Sequence, residues 1–151
     1  MAIYLGTEKV NSMCQPYVDW GNTTQMPGVS HIRSSLISGK FKVAWRDPDD
    51  IIERGVTIAS WSKTRLVYKA YSIDTEITDD MFPQNENDYD GIMLETTTRN
   101  QYDSTPYTCP YDLAQDMVYC FRFFPCNKFG KYTTAIKYAK QCMFRTNGLT
   151  W

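Results

Sequence analysis

Few residues in this 151-residue chain could carry out bond-making chemistry, and their spacing decides how far that goes. His31 is the single histidine, so a histidine-based triad would have to be assembled around it. It stands in an amphipathic run, Val29-Ser30-His31-Ile32-Arg33, where nothing nearby pairs it with a nucleophile. Glu86-x-Asp88-x-Asp90-Gly91 has the opening of a calcium loop, with alternating oxygen ligands before a glycine. The closing bidentate acid would fall at Thr97, which cannot supply it, so the segment reads as a solvated acidic loop. Asp47, Asp49 and Asp50 flank Pro48 with no apolar pocket to perturb them, and they read as a turn. No glycine-rich phosphate loop and no pair of metal-ligating histidines occurs. The expectation is a protein without catalytic residues, metal or cofactor.

The five cysteines, Cys14, Cys109, Cys120, Cys126 and Cys142, are an odd set without a C-x-x-C pair. They fit neither a complete disulfide framework nor a zinc site, and the expectation is reduced thiols in a chain folded in a reducing cytosol. The formal net charge of -1 provides no basic field to gather nucleic acid or anionic lipid. The longest apolar stretches fall far short of the roughly 20 residues that cross a bilayer, and the N-terminus lacks a charged region followed by an apolar one. Neither nucleic-acid binding nor membrane insertion is expected.

The elements that must position these residues are strands. Aromatic residues make up 15% of the chain, with Thr and Val between them, a composition that suits a pleated, half-buried surface. A Ser38-Gly39 turn separates 29–33 from Phe41-Lys42-Val43-Ala44-Trp45, whose strict alternation puts Phe41, Val43 and Trp45 on one face. Pro48 and its aspartates stop that strand, and a loop is expected after them. Strands are expected at 64–72, with Leu66, Tyr68 and Ala70 on one face, and in shorter form at 56–61 and 92–96. Residues 74–90 read as an acidic excursion at the sheet edge. The clearest strand is 117–124, with Tyr119, Phe121 and Phe123 on one face and Val118, Cys120 and Arg122 on the other. Asn127-Lys128-Phe129-Gly130 turns it into a returning strand over 131–140. About seven short strands predict an all-β sandwich.

The order of these features resembles the fibronectin type III domain, an immunoglobulin-like fold. Pro27-Gly28-Val29 is similar to its opening segment, and Val43-x-Trp45 followed by Asp47-Pro48 to its second strand with the core tryptophan. Leu113 followed six residues later by Tyr119 is similar to its tyrosine corner, with Gln115-Asp116 in place of the usual Pro-Gly. Four passages more closely resemble such domains in bacteriophage virion proteins: Trp45-Arg46-Asp47-Pro48-Asp49-Asp50, the run from Trp61 through Lys69, Thr98-Arg99-Asn100-Gln101-Tyr102, and the run from Tyr119 through Pro125. The start of the chain, Met1 through Val10, is similar to that of small phage structural proteins. The resemblance implies an N-terminal arm at 1–26, a fibronectin type III-like sandwich at 27–141 and a C-terminal tail at 142–151. It also implies a non-enzymatic virion structural protein, made in the host cytoplasm, that contacts other virion proteins in many copies.

The arm and tail carry apolar residues without a place in a seven-strand core: Ile3, Leu5, Tyr17, Trp20, Phe144 and Trp151. These are the candidate interface residues, expected to anchor on neighbouring subunits. Nine acidic residues against Arg99 alone lie between Asp74 and Asp103, and from Cys120 onward six basic residues face no acid. Opposed patches of this kind suit head-to-tail packing. Two alternatives remain: a host-surface glycan-binding module that stacks sugars on Tyr107, Tyr111 or Trp61, and a cytosolic regulator.

Overall fold

The computed structural model describes residues 24–133 and 140–146. The candidate residues Ile3, Leu5, Tyr17, Trp20 and Trp151 lie outside them. The strands are β1 (Ser30–Ile37), β2 (Lys40–Arg46), β3 (Ile51–Glu53), β4 (Val56–Ala59), β5 (Trp61–Ser72), β6 (Gly91–Thr96), β7 (Tyr107–Thr108), β8 (Met117–Asn127) and β9 (Lys140–Thr146). They form a three-stranded sheet in the order β1-β2-β7, a four-stranded sheet in the order β6-β5-β8-β9, and the separate pair β3-β4. The fold is all-β and sandwich-like.

Side-chain alternation builds the core between the two larger sheets. Phe41, Val43 and Trp45 from β2 meet Leu66 from β5 and Tyr119, Phe121 and Phe123 from β8, all buried. The Phe41 and Phe121 rings stack with centroids 4.5 Å apart, and Phe123 lies 5.2 Å from Trp45. Each such ring removed from water stabilises the fold by about 1.5–3 kcal/mol. The expected corner is present: Leu113 is buried, and the Ala114 amide donates to the Tyr119 hydroxyl at 2.9 Å. Asp116 takes φ 61°, a left-handed conformation that aspartate tolerates better than most residues.

The structure differs from the sequence reading in several places. β4 lies within the strand expected at 56–61, but part of the loop expected after Asp50 is instead strand β3, paired with β4 because Arg54 and Gly55 adopt φ of 51° and 76°, the pair of positive values that a tight two-residue hairpin turn requires. Residues 74–90 are not an edge excursion. They fold across the outer face of the four-stranded sheet, where Ile77 and Phe82 cover Val118 and Cys120. Strand β8 is therefore buried on both faces. Arg122, 2% exposed, donates from Nη1 to the Pro83 carbonyl at 2.8 Å and from Nη2 to the Gln141 side chain, with Phe82 beside its guanidinium. The strand that pairs with β8 is β9, with Tyr119 opposite Phe144 and Phe121 opposite Cys142. Of the expected 131–140 strand, residues 134–139 lie outside the described residues. The boundary drawn at 141 thus falls inside β9, and Phe144 sits against Phe41 edge-on at 5.4 Å. At the other boundary, Met26 is buried with Ala59 and Trp61.

Candidate protein-interaction surface

One end of the sandwich is organised around a buried carboxylate. Asp47 accepts from Trp45 Nε1 and from Thr64 Oγ1, both at 2.8 Å, and Thr64 in turn accepts from Trp61 Nε1 at 2.8 Å. The second Asp47 oxygen accepts from the Asn100 amide at 2.8 Å, while the Asp47 amide donates to the Asn100 side chain at 2.8 Å. Asn100 holds φ 59°, a left-handed conformation that asparagine tolerates better than most residues. A buried carboxylate left without donors would be strongly unfavourable, so these partners are a requirement of the fold. The segments 45–50, 61–69 and 98–102 meet in this one network.

A second carboxylate, Asp50, fixes the base of the hairpin. It accepts from the Trp61 amide at 3.0 Å and pairs with Arg99, whose guanidinium also lies over the Trp61 ring at 5.6 Å. The Arg99 hydrogen bond holds the Asp50 carboxyl below the usual carboxylate range against the opposing effect of burial. Asp103 takes Arg46 and Arg33, which lower its carboxyl in the same way. The turn after β8 joins the assembly, since the Lys128 amide donates to the Ser60 carbonyl at 3.0 Å.

On this rigid base the hairpin presents apolar side chains to solvent. Residues 52–57 are all exposed, with Ile52 at 62% and Val56 at 57%. Cross-strand pairing sets Ile52 opposite Thr57 and Val56 opposite Glu53, so one β-branched apolar residue marks each face of the hairpin. Phe129, in the turn held by Asn127 Oδ1, is also exposed. Ile52 and Val56 were missed by sequence reasoning. Their signal was Ile51-Ile52-Glu53-Arg54-Gly55-Val56-Thr57-Ile58, two β-branched runs about an X-Gly pair.

A second apolar feature lies toward the other end, a groove of about 370 Å³ between residues 77–82 and β9. Its lining includes Ile77, Phe82, Cys142 and Met143 together with Asp79 and Arg145.

His31 is exposed at φ 54°, within 3.0 Å of its neighbour Ser30. The calcium-like acids diverge: Asp88 accepts from the Gln84 amide and pairs with Lys69, while Asp90 caps the Ala70 amide. Among the described residues no group of three or more His, Cys, Asp or Glu could hold a metal ion. No described helix is long and apolar enough to cross a membrane. Cys109, Cys120, Cys126 and Cys142 are free thiols, and burial pushes Cys120 up to about 11 and Cys142 up to about 12. Trp61 is buried beneath Arg99 and offers no stacking platform. Tyr107 is half-buried against Tyr102, and Tyr111 is exposed.

No family model matches the chain, and no curated protein matches it. A human fourth fibronectin type III domain, solved in solution, is similar in structure at 13% identity and a TM-score of 0.44, over 83% of this chain and 80% of that one. The strand order described above stands on the register of the strands themselves. This is an all-β, sandwich-like chain with a distant, partial likeness to fibronectin type III domains.

Proposed function

We propose that the chain is a non-enzymatic structural protein of a bacteriophage virion, an immunoglobulin-like adaptor, spacer or decoration that works through contacts with other virion proteins. The observation that carries this reading is the β3-β4 hairpin. Solvent-exposed Ile52 and Val56 are held on a base fixed by Asp47 and Asp50, so an apolar contact is offered without loss of order on binding. The phage assignment is supported by the resemblance of the four sequence passages. Expected partners are other virion proteins in many copies, with the protein made in the host cytoplasm before assembly. Anchoring by Ile3, Leu5, Tyr17, Trp20 and Trp151 belongs to the same reading.

Mass spectrometry of purified particles tests it. The expected result is a stoichiometric amount of the chain in the particle; its absence from particles and abundance in the infected-cell lysate would point to a cytosolic regulator. A second reading, attachment to a host-surface glycan, is favoured by one residue, exposed Tyr111. A glycan array separates the two, because saturable binding lost in Tyr111→Ala would favour attachment.

A further inference from the structure

The groove beside β9 and the tip of the β3-β4 hairpin have matching chemistry and lie at different levels of the molecule. Val56 and Ile52 are apolar, and the turn between them carries Glu53 and Arg54. The groove offers Ile77, Phe82 and Met143 as apolar lining, with Asp79 to receive an arginine and Arg145 to receive a glutamate. At about 3.3 Å per residue, β5 carries the chain roughly 30 Å from Trp61, beside the hairpin, to Tyr71, which packs with Ile77 and Phe82. One molecule therefore presents the two features far apart, and its own hairpin cannot fill its own groove.

We infer that the hairpin of one copy seats in the 77–82/β9 groove of a second copy, giving a heterologous head-to-tail contact. Such a contact repeats, closing into a ring or extending as a row. It rests on the reading of the hairpin as an interaction surface and names a second copy of this chain as its partner. Part of the opposed charge in the sequence is already satisfied within the molecule, by Lys69 with Asp88 and Arg65 with Glu95. The contact uses Glu53 and Arg54 on the hairpin with two groove charges that already have neighbours in the molecule: Arg145, which donates from Nη1 to the Ile73 carbonyl at 3.1 Å, and Asp79, whose charge acts on buried Arg122. A hairpin tip buries far less than the roughly 1,200–2,000 Å² of a standard interface, so the association is weak and depends on concentration. Many copies held in one assembly would strengthen it by raising the effective concentration.

Sedimentation velocity of the full chain, from micromolar to millimolar, tests the inference with Val56→Glu on the hairpin and Met143→Glu in the groove. Both positions are solvent-exposed, and circular dichroism checks that each variant keeps its fold. Wild type is expected to self-associate with rising concentration, and each variant to do so about tenfold or more weakly. A mixture of the two variants is expected to form a 1:1 dimer and nothing larger, because each retains one intact half of the contact. Arg54→Glu combined with Asp79→Arg is expected to restore association lost in either alone. A wild type that stays monomeric throughout, or a variant mixture that does, overturns the inference. If removal of residues 147–151 shifts the Met143 methyl resonance while Val56→Glu does not, the groove belongs to the chain's own tail, and the inference again falls. Particle incorporation that is lost in Val56→Glu but kept in Met143→Glu, with wild type monomeric, would overturn self-association while leaving the hairpin reading intact.

Discussion

Asp47 and Asn100, 53 positions apart, hold each other reciprocally: each backbone amide donates to the other's side-chain oxygen at 2.8 Å. Asp47 also takes Trp45 Nε1 and Thr64 Oγ1, so removing its carboxylate strands several buried donors at once. Asp47→Ala is expected to lower stability by about 3–5 kcal/mol, read from the urea midpoint at constant slope. Asn100→Ala, which loses an acceptor and leaves alanine at φ 59°, is expected to lose about 2–3 kcal/mol, and Asn100→Gly less. Equal losses in the two Asn100 variants would contradict a conformational contribution at that position.

Tyr119→Phe removes the acceptor of the Ala114 amide and leaves the ring in place against Tyr68 and Phe121. A loss of about 1–2 kcal/mol is expected by urea denaturation. No change would mean that water replaces the hydroxyl and that the corner contributes little to stability.

Acid should destabilise the hairpin end through Asp50 and Asp103. Arg99 lowers the first carboxyl, and Arg46 with Arg33 lowers the second. A carboxylate lowered in the folded state contributes fully above its unfolded value of about 3.9, and that contribution is lost as the pH falls through the folded value. Both groups are partly solvated, so the effect is modest. The urea midpoint is expected to fall below about pH 4, and less steeply in the Asp50→Asn/Asp103→Asn double variant. An unchanged slope in that variant would assign the acid sensitivity to other groups.

Arg122 is buried against neutral acceptors, and burial pulls its guanidinium below its ordinary range. Arg122→Met fills similar space without a buried charge and is expected to stay within about 1 kcal/mol of wild type. Arg122→Ala opens a void beneath Phe82 and is expected to cost about 2–4 kcal/mol. Thermal melts of the two variants distinguish packing from charge, and a severe loss in Arg122→Met would show that the charge itself is required.

Much of the sandwich was legible because its core obeys a period of two: Phe41, Val43 and Trp45, and then Tyr119, Phe121 and Phe123, could be read directly as inward faces. The outer face of β8 was harder. Val118 and Cys120 are apolar on the face opposite the core residues, which suits burial, but the segment that covers them, 74–90, is acidic and reads as an edge excursion. Asp47 looked like a turn former because its partners Thr64 and Asn100 are remote in sequence. The first strand of the hairpin was hidden by Pro48 and its aspartates, which signal a break and do not show that a strand resumes three residues later, whereas the second falls within the strand expected at 56–61. Exposed Ile52 and Val56, the centre of the candidate surface, break the local pattern of polar tips, as a binding surface would.

Incorporation of a hairpin variant into particles tests the central claim most directly. Wild type and Val56→Glu, supplied at equal soluble amounts and equally folded, are compared by quantitative mass spectrometry of purified particles. The expected result is stoichiometric wild type with the variant strongly depleted. Equal incorporation of the variant, or absence of the wild type from particles, would contradict a virion role carried by the β3-β4 hairpin.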